Sequence, residues 1–242
     1  VKGTEAAKEA AEMVLLDDNF ASIVNAVHEG RTVYDNIRKV ISWTIPTNGG
    51  EALVVILAIL AGFALPMTAT QILWINLILS ATLGLVLAFE PSEPGVMRRR
   101  PRRPDAPLLS PFLVWRVFLV SGLMAAIALG IFFHALNAGR DLETARTMVV
   151  NMIIVGEIFY LFNVRYLHMR SFTWRGALGT PAVLIAIAIV VVGQLAFTYM
   201  PFMNATFGSR PLDFGDGALI IAIGFGLMLL LEGEKLLMRR LG

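Results

Sequence analysis

Ile45-Pro46-Thr47-Asn48-Gly49-Gly50-Glu51 sits inside an apolar run from Val40 to Leu65, and it puts a proline, two glycines, an amide and a carboxylate where a membrane span would begin. A carboxylate at bilayer depth costs at least ~2.5–3.5 kcal/mol on insertion scales, so Glu51 is expected to be a functional residue with a partner. Pro46 removes a backbone donor, and Gly49 and Gly50 beside it make this turn of helix easy to loosen. The carbonyls freed there, together with Asn48 and Glu51, would be oxygen ligands for a hard cation in a buried polar cavity. The plainer alternative is a kinked helix whose Glu51 is protonated or hydrogen-bonded to a neighbour. Further polar residues in the other spans favour the ion site.

The composition places this stretch in a membrane. Of 242 residues 57% are hydrophobic and the mean hydropathy is +0.71, more than a water-soluble core of that size requires. Six apolar segments, Val40 to Leu65, Met67 to Phe89, Phe112 to Leu136, Thr147 to Tyr166, Ala182 to Met200 and Gly217 to Leu237, are each long enough to cross a hydrocarbon core of about 30 Å as a helix. The expected fold is therefore all-α, an integral membrane six-helix bundle with a short cytoplasmic helical stalk at its N-terminal end. Its first two spans should form a tight hairpin around Pro66. The absence of cysteine excludes disulfides, zinc–thiolate sites and cysteine nucleophiles. The chain opens on Val1, with neither an initiator methionine nor a signal peptide, as expected of a processed or incomplete product.

Ahead of the spans, Lys2 to Met13 is helix-forming, and Val14-Leu15-Leu16 reads as an edge strand or a helix end. Asp17-Asp18-Asn19 stops that segment and caps a helix with Phe20, Ile23, Val24, Val27, Tyr34 and Ile37 at three- and four-residue spacing. Residues 1–39 thus form a soluble end plus stalk, and 40–242 the six-span domain. Of the 20 Lys and Arg residues, 17 fall on one face of this topology and only Arg140, Arg146 and Arg210 on the other, which puts both termini in the cytoplasm. The loop Glu90 to Pro111, with six prolines and an arginine cluster, should be an extended connector. Its arginines fit a topogenic loop beside anionic lipid heads better than a nucleic-acid or phosphoinositide patch, so no nucleic-acid partner is expected.

Four intramembrane residues stand out: Asn48 and Glu51 in the first span, Asn76 in the second and Glu157 in the fourth. All are hard oxygen donors, suited to calcium, sodium, manganese or protons; without Cys or a mid-span His, copper and zinc are disfavoured. Tyr160 and Asn163 follow Glu157 one and two turns further along the same face. His134 reads as an interfacial residue, and His28 and His168 carry no metal-ligand spacing. Trp43, Trp74, Trp115 and Trp174 lie near segment ends, with Trp74 open to packing inside the bundle. Glu232, Glu234 and Lys235 read as an interfacial charge cluster, and Gln194 as an interhelical hydrogen-bond donor.

Taken in order, these residues resemble the C-terminal portion of P-type cation-transporting ATPases of the calcium-pump-like class. Lys2 to Lys8, Ala11 to Leu15, Asp17 to Phe20 and Glu29-Gly30-Arg31 are similar to the end of that family's phosphorylation domain and its stalk. Asn48-Gly49-Gly50-Glu51 resembles the ion-binding motif of its fifth membrane helix and Leu73-Trp74-Ile75-Asn76-Leu77 that of its sixth. Pro101-Arg102-Arg103-Pro104 and Pro107-Leu108-Leu109 resemble the following loop, and Glu157 falls where the eighth helix carries a ligand. The resemblance implies helices five to ten of a ten-helix transporter in the plasma (inner) membrane, with Asn48, Glu51, Asn76 and Glu157 as cation ligands. It also implies as partners the lipid bilayer, the ATP-binding, phosphorylation and actuator domains and the first four helices, with ATP and magnesium used there. Two departures stand out. Calcium pumps carry Thr-Asp where this chain has Leu79 and Ser80, so one ion, a monovalent ion or a proton-coupled variant all stay open. The motifs for phosphorylation and ATP binding are absent, so these 242 residues should not hydrolyse ATP alone. A non-enzymatic membrane protein, such as a passive cation pathway, a regulatory partner of a pump or a remnant, is the competing reading.

Overall fold

The computed structural model describes residues 3–17, 19–102, 108–165 and 180–241, with side chains as far as residue 237. Asp18, the Arg103 to Pro107 part of the loop, Tyr166, His168, Trp174 and the arginines at 170 and 175 lie outside the described residues. Among those described there is no strand.

Helix α1 (Glu5–Glu9) is capped by the Thr4 hydroxyl, which accepts from the Ala7 N–H at 3.3 Å, and it buries nothing. It is shorter than the expected Lys2 to Met13 because an isolated helix without a packed face is marginal. Val14-Leu15-Leu16 is neither strand nor helix end; Leu16 is 85% exposed, with no neighbouring strand for this segment to pair with among the described residues. Helix α2 (Phe20–Ala61) starts at Asn19, whose side chain accepts from the Ala21 N–H, and stops at Gly62, where φ of +72° is natural for glycine. The Ser22 hydroxyl donates to Asp17 at 2.6 Å, and this bond holds the Asp17 carboxyl below its usual pKa. Stalk and first span are thus one rod about 63 Å long.

The stalk half of α2 packs through its polar side, contrary to the amphipathic pattern. Phe20, Val24, Val27 and Ile37 are exposed, while Thr32, Asp35, Asn36 and Lys39 are buried against the loop after the second span. Buried main-chain carbonyls there need donors. Arg31 gives hydrogen bonds to the carbonyls of Val96 and Arg99, and Asn36 to those of Ala88 and Glu90.

The second span, α3 (Ala69–Ala88), opens with a capping box between Thr68 and Gln71 and widens into a π-helical turn over Ser80–Gly84. Then follow α4 (Pro111–Asn137), α5 (Leu142–Arg165), α6 (Pro181–Tyr199), the short α7 (Pro201–Phe207) and α8 (Phe214–Leu241). Six of these helices, α2 to α6 and α8, are long and apolar enough to cross a membrane, as expected. Helix α5 is the most buried of them and forms the axis: α2 packs on α4, α4 on α5, and α5 on α8. At one end of the bundle Arg140 pairs with Asp213 and Asp216, Arg210 with Glu143, and Arg146 donates to the Leu65 carbonyl. The three arginines that the topology assigns to the outer face therefore share one end.

Pro46 cannot donate to the Ser42 carbonyl one turn back. That carbonyl accepts instead from the Tyr160 hydroxyl of α5 at 2.8 Å, and the Pro46 carbonyl accepts from Ser121 of α4, also at 2.8 Å. The expectation that the freed carbonyl would serve as a cation ligand is thus corrected: a buried tyrosine already satisfies it. Removing the hydroxyl with Tyr160→Phe leaves a buried carbonyl unpaired and should cost about 1–3 kcal/mol. A fall of several degrees in the melting temperature of the detergent-solubilised protein would show it, and an unchanged melting temperature would mean that water or a shifted helix takes the place of the hydroxyl.

Candidate cation cavity between α2, α3 and α5

Asn48 and Glu51 lie three residues apart on α2 and therefore on one face, immediately beyond the pinned proline turn. Across from them α3 presents Asn76, whose amide Nδ2 donates to Glu51 Oε2 at 2.9 Å and to the Ile72 carbonyl at 3.0 Å. That leaves the Asn76 carbonyl oxygen available. Asn48, Glu51 and Asn76 line a cavity of about 420 Å³ whose remaining wall is apolar, from Ala52, Val55, Ile56 and Ile72. Asn48 is exposed at its rim, Asn76 is half-buried and Glu51 is 6% exposed.

Glu157 does not line this cavity; it stands behind Glu51, 2% exposed, with its carboxyl facing Glu51 and Thr47. One of its oxygens, Oε1, is buried without a hydrogen-bond partner. The Trp43 indole N–H donates to the Glu157 main-chain carbonyl at 3.3 Å and fixes this turn of α5 against α2. Two carboxyl groups in contact at low dielectric cannot both carry a bare negative charge. A proton or a cation has to lie between them. Among the described residues no three acidic, His or Cys side chains converge, so a cation here would draw on two carboxylates and on neutral oxygens.

The structure thus brings Glu51, Asn76 and Asn48 together and sets Glu157 one layer deeper. Leu79 is buried in the core and Ser80 is exposed at the start of the π-helical turn, and neither lines the cavity. Trp74 does pack inside the bundle, stacked on Phe197, and its indole N–H donates to Gln194; Gln194 is an acceptor in that bond, not the donor expected of it.

A second set of buried polar groups is less legible in the sequence. Arg116 of α4 donates to Asn163 of α5, which donates to Glu232 of α8 at 2.9 Å, and Lys235 gives a hydrogen bond to the Asn163 carbonyl at 3.2 Å. Glu232 and Lys235 are 7% and 4% exposed, which corrects their reading as an interfacial cluster. Their i, i+3 spacing puts both on one face of α8, and the available signal was Asn163, two turns past Glu157. Nearby, Arg165 pairs with Glu90 at 2.8 Å and Lys39 lies 3.5 Å from Glu93, all four buried. These pairs tie α2, α5 and the loop before α4 into one rigid end.

Comparison with known proteins agrees with this architecture. Residues 64–237 match the family described as "Cation transporting ATPase, C-terminus". Over 238 residues the chain is 46% identical to the probable cation-transporting ATPase F of Mycobacterium tuberculosis, an alignment covering 98% of this chain and 26% of the relative. It is 39% identical to the cation-transporting ATPase pma1 of Synechocystis over 225 residues, covering 90% of this chain and 25% of the relative. The calcium-transporting ATPase of Bacillus subtilis is 32% identical over 240 residues, covering 98% and 26%. The chain spans about a quarter of the length of these relatives. With a family match over most of its length and six helices able to cross a membrane, the chain belongs to the cation-transporting ATPase C-terminal family, the membrane-embedded C-terminal region of P-type cation pumps.

Proposed function

We propose that the chain is the cation-translocating part of an ATP-driven pump, with the ion held between α2, α3 and α5 by Glu51, Glu157, Asn76 and Asn48. The observation that carries this reading is the buried pair Glu51–Glu157 with Asn76 bonded to it at the head of an open cavity. The cation enters over Asn48 and is held deepest by Glu157. All donors are oxygens, which suits calcium, sodium, manganese or a proton. The Bacillus subtilis relative is named a calcium-transporting ATPase, and two carboxylates provide the charge that a divalent ion needs.

Residues 1–39 are the end of the phosphorylation domain and its stalk. ATP and magnesium act on the ATP-binding, phosphorylation and actuator domains, which together with four further helices are the partners of this chain in the complete pump. The unbroken rod of α2 carries the movement of those domains into the membrane. Where Tyr160 and Ser121 hold the proline turn, that movement becomes a change of angle beside Glu51, and access alternates from one face to the other.

The orientation is tested on the complete pump in intact cells. With both termini in the cytoplasm of the inner membrane, a membrane-impermeant thiol reagent added outside should label a cysteine at Ala205 and spare one at Arg100. The reverse pattern would overturn the orientation and, with it, the direction of transport.

A further inference from the structure

A cavity of about 730 Å³ lies between the stalk half of α2, the loop after α3 and the first turn of α4. Among the described residues, five arginines line it, Arg31, Arg38, Arg99, Arg100 and Arg102, against one carboxylate, Asp35. Asp35 is taken up by Arg99 at 2.5 Å, and Arg99 is balanced further by Glu93 at 3.0 Å. Arg31 uses its guanidinium on two main-chain carbonyls, which orient it without neutralising it. Arg38 is half-buried with its Nε shielded from solvent and lacking a hydrogen-bond partner. Arg102 lies over the Tyr34 ring at 4.4 Å and donates to its hydroxyl, leaving the Tyr34 O–H free to donate into the cavity. Ser110 and Pro111 complete the wall with the N-terminal, positive end of the 27-residue helix α4.

We propose that this cavity binds the phosphate of an anionic phospholipid, with Arg38 and Arg100 as its principal ligands and Arg31 and Tyr34 beside them. The proposal rests on the membrane orientation given above, which brings this face to the cytoplasmic leaflet where anionic lipids lie. A concentrated positive charge suits phosphate oxygens, which guanidinium groups bind in a fork. The level fits a headgroup: the cavity meets α4 at its first residue, and Trp115, one turn on, is 52% exposed as interfacial tryptophans are. A lipid held here would add to the contacts that already join the stalk to the loop, at the base of the rod that drives the cation site.

The complete pump is reconstituted in phosphatidylcholine vesicles containing a fluorescent phosphatidylglycerol, and binding is read by energy transfer from the protein's tryptophans. Each arginine is expected to contribute about fivefold in affinity, so Arg38→Gln with Arg100→Gln should weaken binding roughly 25-fold. Arg98→Gln, on the same loop but outside the cavity, should change it by less than about twofold, and Arg38→Lys, which keeps the charge but not the fork, should lose less than Arg38→Gln. Should the double variant fail to assemble, Arg100→Glu alone gives the same readout at an exposed position. Equal losses in the Arg98 and Arg38/Arg100 variants would mean general surface attraction and overturn the site. Displacement of the labelled lipid by millimolar inorganic phosphate would assign the cavity to a free phosphate and overturn the lipid. Thiol labelling at Ala205 reports the orientation independently, so a failure of that premise is seen separately.

Discussion

Glu157→Gln in the complete pump is expected to weaken the apparent cation affinity for phosphoenzyme formation by about 30-fold or more, and Glu51→Gln by a similar factor. Removing one member of a buried, interacting charge set costs about 2–5 kcal/mol, and each 1.4 kcal/mol is tenfold. Gln keeps the volume, so a fold defect is not the cause of the loss. The same two carboxyls make the site sensitive to pH. Cation binding requires both to be deprotonated, so it should release protons, and apparent affinity should fall as the pH is lowered. A Glu157→Gln pump that keeps wild-type affinity at every pH would remove this residue from the ligand set.

Gly50→Leu is expected to abolish assembly of the bundle, and Gly50→Ala to destabilise it by about 1–3 kcal/mol. A Cβ on Gly50 would stand 2.7 Å from the Cβ of Met124 on α4, and no rotamer change can relieve a clash with a Cβ. The two helices must separate, and Glu51, the next residue, moves off Asn76. Gly122 of α4 offers the opposite sign. A Cβ there meets nothing within 4 Å, so Gly122→Ala should stabilise the helix by roughly 0.5–1 kcal/mol. Melting temperatures of the three variants in one detergent check both directions. An unaffected Gly50→Leu would mean that α2 and α4 are not in contact at this turn.

The sequence was most informative where composition alone decides. A run of about twenty apolar residues has one stable form in lipid, so all six spans were legible, with ends displaced by a few residues where capping groups such as Thr68 and Ser110 choose the first turn. The cluster Asn48, Glu51 and Asn76 was legible because polar residues are rare in such runs. The apolar spacing of the stalk marks a helix but not the side that packs: Arg31, Asn36 and Lys39 meet a loop rich in main-chain carbonyls and carboxylates, which hydrophobic periodicity does not register. Neither the capping of the Ser42 carbonyl by Tyr160 nor the burial of Glu232 and Lys235 follows from local pattern. Both depend on which helices become neighbours, and a single chain read in order does not contain that.

Glu51 and Glu157, more than a hundred residues apart in sequence, are proposed to hold one cation between α2 and α5. A double-mutant cycle on equilibrium cation binding in the complete pump measures it directly, using wild type, Glu51→Gln, Glu157→Gln and the double variant at one pH above neutrality. A shared site predicts that the double variant loses little more than either single one, because the second carboxylate has no ion left to hold once the first is gone. Strictly additive losses in the double variant would place the two carboxylates in separate sites and contradict the account.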